Sequence, residues 1–256
     1  MFDQIIFRSH KAKTATIATL VLAFSFFPFH ADAQQAGPTD AKAMEILQGM
    51  SDYLAKADTA SFRVRSFFDQ VRESGIKIKT ARSAGVRLKR PNGLFVESIA
   101  DSGAARTVWF DGSVLTVWDR HLNQAKTLDF KGKTDALLDQ LAEKYDVNLP
   151  VADLLFSDVG KALKETIISS EYIGLRTVQG VECHQLSFES TGADWQIWVE
   201  ADATPLPRRF AVTYVTLEGE PQFMAQLDHW SIGGAIEPTQ FKAAVPEDTK
   251  RVSFTK

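Results

Sequence analysis

The chain is almost without cysteine: Cys183 stands alone among 256 residues, so no internal disulfide can form and the fold must be held by its core. Histidine is scarce too. After residue 33 only His121, His184 and His229 remain, more than forty residues apart and without the paired spacing of metal ligands. There is no Gly-x-Ser-x-Gly elbow, no phosphate-cradling glycine-rich loop and no His-Glu-x-x-His, so the usual catalytic signatures are missing. Charge of one sign does not dominate. The 29 Lys and Arg against 32 Asp and Glu give a formal charge of -3, spread along the chain, which argues against a nucleic-acid partner. Long apolar runs are confined to one, "ATIATLVLAFSFF" at Ala15 to Phe27, shorter than the roughly 20 residues of a membrane span.

That run follows Arg8, Lys11 and Lys13 and ends in "ADA", Ala31 to Ala33, the order of a secretory signal peptide with a small-x-small cleavage site. Residues 1–33 are therefore set apart as a signal peptide, and the mature chain is expected to start near Gln34 with 223 residues, soluble after cleavage. No cysteine stands at the cleavage point to take a lipid anchor. One domain over 34–256 is the simpler expectation, because no stretch reads as an interdomain linker and no internal repeat is visible.

In "DAKAMEILQGMSDYLAKAD", Ala43, Ile46, Leu47, Met50 and Leu54 recur at three- and four-residue spacings behind Asp40 as N-cap, which predicts an amphipathic helix. From Ser61 the period becomes two. Phe62, Val64, Ser66 and Phe68 share one face with Arg63, Arg65 and Asp69 opposite; Ile76 and Ile78, then Val86 and Leu88, oppose Lys77, Lys79, Arg87 and Lys89. A meander of six strands is expected, with turns at Pro91-Asn92-Gly93 and Asp111-Gly112, and with Val108 and Phe110 facing away from Trp109. Between Lys133 and Lys164 the period is helical again, with Leu137, Leu138, Leu141 and Tyr145 in one stripe, Pro150 at a helix start, and Leu154 and Leu155 beyond it. Five more strands follow, from "EYIGLRTVQG" to "PQFMAQLDHWSIGG".

The pattern therefore predicts an α+β fold: a curved antiparallel sheet of about eleven strands, an open and incomplete β-barrel, with helices covering its concave face. The order of elements, with "FDGSVLTVWDRHLNQAKT" in the meander, "LPVADLL" opening the helical insertion and "WQIWVEADATPLPRRF" after it, resembles the bacterial lipoprotein-carrier superfamily. That group contains periplasmic lipoprotein localisation carriers and envelope-stress sensors, and within it the chain looks closest to a family of predicted periplasmic proteins. The resemblance implies a periplasmic location and an open barrel whose helices plug an apolar cavity. It transfers no functional residue one by one.

Strand alternation nominates the wall of such a cavity as Phe62, Val64, Phe68, Ile76, Ile78, Val86, Leu88, Val108 and Phe110, with Leu137, Leu141, Leu154 and Leu155 from the covering helices. The five tryptophans, Trp109, Trp118, Trp195, Trp198 and Trp230, fit either a core or a cavity wall. Cys183 and His184 are neighbours on a strand and point to opposite faces, which argues against a nucleophile and base, and no catalytic, metal or cofactor site is expected. The stretch "KIKTARSAGVRLKR" gathers Lys77, Lys79, Arg82, Arg87, Lys89 and Arg90. It reads as a solvated strand face, or as a docking patch for anionic headgroups or an acidic partner. Two functions stay open. One is a carrier of a hydrophobic molecule, such as a lipid, acyl chain or lipoprotein anchor; the other is a sensor module that binds an envelope protein or membrane surface.

Overall fold

The computed structural model describes residues 38–145, 151–164 and 166–254, so the expected signal peptide and Pro150 lie outside the described residues. The first helix, α1 (Ala41–Ala55), starts where Asp40 caps it: Oδ1 accepts from the backbone N–H groups of Lys42 at 2.8 Å and Ala43 at 3.3 Å. The other carboxylate oxygen accepts from Tyr172 N–H at 3.0 Å. One side chain thus both begins the helix and docks it.

Six strands follow as a meander: β1 (Thr59–Val71), β2 (Lys77–Lys89), β3 (Gly93–Ala100), β4 (Ala105–Phe110), β5 (Val114–Asp119) and β6 (Gln124–Asp129). The helical insertion contains α2 (Thr134–Tyr145), a 3-10 turn (Ala152–Leu155) and α3 (Val159–Lys164). A second meander runs through β7 (Ile167–Val178), β8 (Val181–Ser190), β9 (Ala193–Glu200), β10 (Pro207–Thr213) and β11 (Gln222–Ile232). The six and five strands read from the sequence are all present. One more, β12 (Lys250–Ser253), pairs parallel to β6, so the sheet has twelve strands in the order β12-β6-β5-β4-β3-β2-β1-β11-β10-β9-β8-β7.

The two meanders meet where β1 pairs with β11, and the sheet stays open between β12 and β7. Its edges are managed in two ways. Residues 38–40 bond along β7, Asp40 N–H to Ser170 O at 3.1 Å, while β12 is four residues long and carries Lys250 and Arg251.

Cross-strand register carries one apolar face from strand to strand: Leu186 opposite Ile197, Ile197 opposite Phe210, Phe210 opposite Ala225, then Phe62 opposite Val86, Val86 opposite Val96, and Val96 opposite Val108. This is the inner face. The helices cover it with Leu47, Met50 and Leu54 of α1, Leu137, Leu138 and Leu141 of α2, and Val159 and Leu163 of α3, all in one contiguous core. The tight turn at Gln179-Gly180 has φ of 50° and 83°, the left-handed pair that lets two twisted strands join in two residues.

The outer face has order of its own. Trp109 stacks on Trp118 with centroids 6.4 Å apart and meets the edge of Phe95, while Arg87 and Arg120 lie over the rings of Phe95 and Trp118. After β11 the chain crosses back to Phe241, whose ring lies so close to Gly93 that a Cβ there would be 3.2 Å away.

Asp69 holds the junction of the two meanders together. It is buried, accepts from Gln222 N–H at 3.0 Å, and pairs with Lys79 at 2.6 Å. Burial alone would raise its pKa, but the Lys79 and Gln222 bonds and the nearby Lys77 outweigh that and leave it below the ordinary carboxylate value. A depressed native pKa contributes stability that is complete above the unfolded value of about 3.9 and is lost as pH falls through the native one. Asp69→Asn is therefore expected to cost about 1–3 kcal/mol at neutral pH, with wild type and variant converging as pH falls through the depressed native value. Urea denaturation across pH checks this; a gap that persists in acid would assign the effect to packing instead.

Candidate functional site

The structure brings most of the nominated residues together on the inner face. Phe62, Val64, Val86, Leu88, Phe110, Leu137, Leu141, Leu154 and Leu155 are all buried in the one core, and Phe68 and Val108 are half-buried against it. Ile76 and Ile78 are a correction: they are 61% and 40% exposed. Alternation gave the face of β2 correctly but not its cover. β3 pairs with β2 only as far as Arg82, so the tip of the β1–β2 hairpin projects beyond its neighbour.

The helices do not cover the inner face evenly. α1 packs on β7, β8, β9 and α3, and the starts of both long connections are tied to the end of the sheet with the Pro91 turn, where Thr134 N–H donates to Pro91 O at 2.8 Å. Toward the opposite end, Val96, Val108 and Val117 stand side by side across β3, β4 and β5, half-buried and apolar, with Ser98, Arg106 and Asp119 as the next row out. Here the inner face is only half covered. A separate groove of about 610 Å³ opens at the Pro91 end, lined by Tyr53, Lys56, Ala57, Lys89, Ile232 and Pro238 among others.

Polar clasps hold the helical insertion down. The Arg90 guanidinium donates to Leu155 O and Phe156 O, each at 3.1 Å, and to Leu54 O at 3.5 Å, joining the β2–β3 turn to the insertion and to the end of α1. Burial pulls its pKa down and Asp135 pulls it up. Asp135 in turn accepts from Ser157 N–H and its hydroxyl, Gly160 N–H donates to Ser51 Oγ at 2.6 Å, and Lys164 bonds Gln48. Nothing in the sequence around Arg90 distinguishes it from its basic neighbours; the turn after β2 points it inward.

Arg90 is therefore a second correction, since it belongs to the interior and not to a docking patch. The rest of that patch is largely committed: Lys79 to Asp69, Lys77 to Glu220 O, Arg87 to the Phe95 ring, and Arg82 to Ser98 Oγ on the inner face. Lys89 lines the groove.

The tryptophans divide between the faces. Trp195 stacks on Phe188 and Trp230 on Phe62 inside, whereas Trp109, Trp118 and Trp198 face outward. Cys183 sits outside with Val178 and Trp198, and burial, with Glu200 adding to it, pushes its thiol up to about 11. At neutral pH it is held as the thiol. His184 meets Tyr172 Oη at 3.0 Å, and among the described residues no group of His, Cys, Asp or Glu is placed to hold a metal ion.

The described residues thus form a curved open sheet of twelve strands, apolar on one face and covered there by short helices. The chain belongs to the family described as predicted periplasmic protein (DUF2092), whose model matches residues 43–255, and it is a periplasmic protein. Among solved structures it is similar to an uncharacterized conserved protein from Thermus thermophilus, with a TM-score of 0.50 and 13% identity over 83% of this chain and 99% of that one. It is also similar to the lipoprotein LppX of Mycobacterium tuberculosis, at 0.45 and 13% over 75% and 96%, and to MucB of the Pseudomonas aeruginosa MucA/MucB complex, at 0.41 and 16% over 80% and 62%. No curated protein matches its sequence.

Proposed function

We propose that the protein binds a hydrophobic molecule, a lipid or an acyl chain, on the inner face of its sheet while it is in the periplasm. One observation carries this reading: the apolar inner face is only half covered along the row of Val96, Val108 and Val117, side by side on three strands. An acyl chain laid there gains about 0.8 kcal/mol for each CH2 group removed from water. Residues deeper under the helices, such as Val86 and Phe110, are already packed. A longer ligand reaches them when the clasped insertion lifts and exchanges its leucines for ligand carbons.

The test is titration with a fluorescent fatty acid. Wild type is expected to bind it, and Val108→Asp to weaken binding by at least about tenfold, since a carboxylate there must be desolvated against the chain. Val108 is only half-buried, so the variant should still fold, which circular dichroism checks. Equal affinity of the two proteins would mean that the valine row is not where the fatty acid binds.

The close packing of the interior favours a second reading, in which the fold recognises an envelope protein without carrying anything. In that case wild type takes up no fatty acid at all.

A further inference from the structure

The exposed large hydrophobic residues are distributed unequally between the two ends of the sheet. Strand register places the β1–β2, β3–β4, β5–β6 and β10–β11 connections at one end. Ile76, at 61%, Leu122, at 59%, and Leu217, at 44% exposed, stand on three of these loops, with Val215 beside Leu217 and with Ile78 and Ile99 on the adjoining strand ends. The opposite end is turned by Pro91-Asn92, Asp111-Gly112, Gln179-Gly180 and Asp202 to Pro205, without an exposed large hydrophobic residue among the described residues. Of the eight such residues, Leu175 lies away from the first end, and Met224 stands on the outer face three residues into β11, level with Phe67.

Two loops of this end are braced against each other. Lys77 Nζ donates to Glu220 O at 3.2 Å, and a Cβ on Gly219 would come within 2.9 Å of Val71. The apolar tips are therefore held on a frame. Each is a single side chain among charged neighbours of both signs, Arg72, Glu73 and Lys77 around Ile76, and Glu218 and Glu220 around Leu217. Apolar side chains on separate braced hairpin tips suit an interface of headgroups and acyl chains, into which each dips on its own and gains by burying its apolar surface.

We infer that this end of the sheet docks on a lipid bilayer, with Ile76, Leu122 and Leu217 inserted between headgroups. The inference rests on the reading of the inner face as a ligand surface, because the row of Val96, Val108 and Val117 lies toward the same end, one inner-face row behind Ser98, Arg106 and Asp119. The mixed charge of the loops makes the attachment apolar, in contrast to a basic docking patch.

Co-sedimentation of the mature protein with vesicles of phosphatidylethanolamine and phosphatidylglycerol tests this. Wild type is expected to sediment with them, and to do so still in about 1 M salt, where the Debye length is about 3 Å. Each inserted tip is worth on the order of tenfold in partitioning, so Ile76→Asp with Leu122→Asp and Leu217→Asp should abolish sedimentation. Leu175→Asp, exposed on β7 and away from the loops, should leave it unchanged. A triple variant that sediments like wild type, or a wild type that does not sediment or is released by salt, overturns the proposal. Uptake of a fluorescent fatty acid from solution is measured on the same samples. The triple variant should retain it, so failure of the inner-face reading shows in uptake and failure of the docking surface in sedimentation.

Discussion

Trp195→Ala should lower the unfolding free energy by about 3–5 kcal/mol, the cost of deleting a large aromatic side chain from a closed core. The indole is fully buried on β9, stacks on Phe188 with centroids 4.0 Å apart, and meets Phe210 at 5.8 Å. Its N–H donates to the hydroxyl of Ser190 at 2.9 Å, itself buried, so truncation also leaves that hydroxyl without its partner. Trp195→Phe keeps part of the stack and should lose less than half as much. In a chain of this size the alanine variant should melt on the order of 10 °C lower. A loss under about 1 kcal/mol in urea titration would mean the inner face is loose enough here to refill, and that the sheet is not held from this half.

Arg90→Met should separate the helical insertion from the sheet without a comparable loss of global stability. Methionine keeps the apolar stem and removes the guanidinium that three carbonyls share. The variant also escapes the cost of burying that cation, so the two effects oppose one another in the unfolding equilibrium. They do not cancel locally. Losing charged donors to Leu155 and Phe156 should lower the opening free energy of residues 151–164 by about 2 kcal/mol, or roughly thirtyfold in amide exchange. Arg90→Lys should behave nearly as methionine does, because one ammonium cannot satisfy carbonyls on two separate segments. Hydrogen exchange by mass spectrometry reads this directly; unchanged exchange in the insertion would show that Ser51, Gln48 and Asp135 hold it without Arg90.

Much of the fold was legible because each strand of the two meanders carries period-two alternation between short turns. β12 was not. Its "KRVS" has no apolar alternation, and its parallel pairing with β6 is a matter of where the chain returns after Phe241. The inner-face residues followed from alternation wherever neighbouring strands and helices extend far enough, as at Phe62 and Leu88. At Ile76 and Ile78 they do not, and the same pattern ends in solvent. Arg90 shows the converse limit: local sequence assigns it to a basic surface, and only the arrival of Leu155 and Phe156 from 65 residues away turns it into a clasp. The clustering of Ile76, Leu122 and Leu217 at one end likewise needs the register of three different hairpins.

Native mass spectrometry of the mature protein, taken from periplasm without detergent, tests the central claim most directly. The account predicts a stoichiometric added mass that organic extraction recovers as a lipid or fatty acid. A bare protein that also takes up no fluorescent fatty acid would contradict it, leaving the inner face as core and the protein as a binder of another macromolecule.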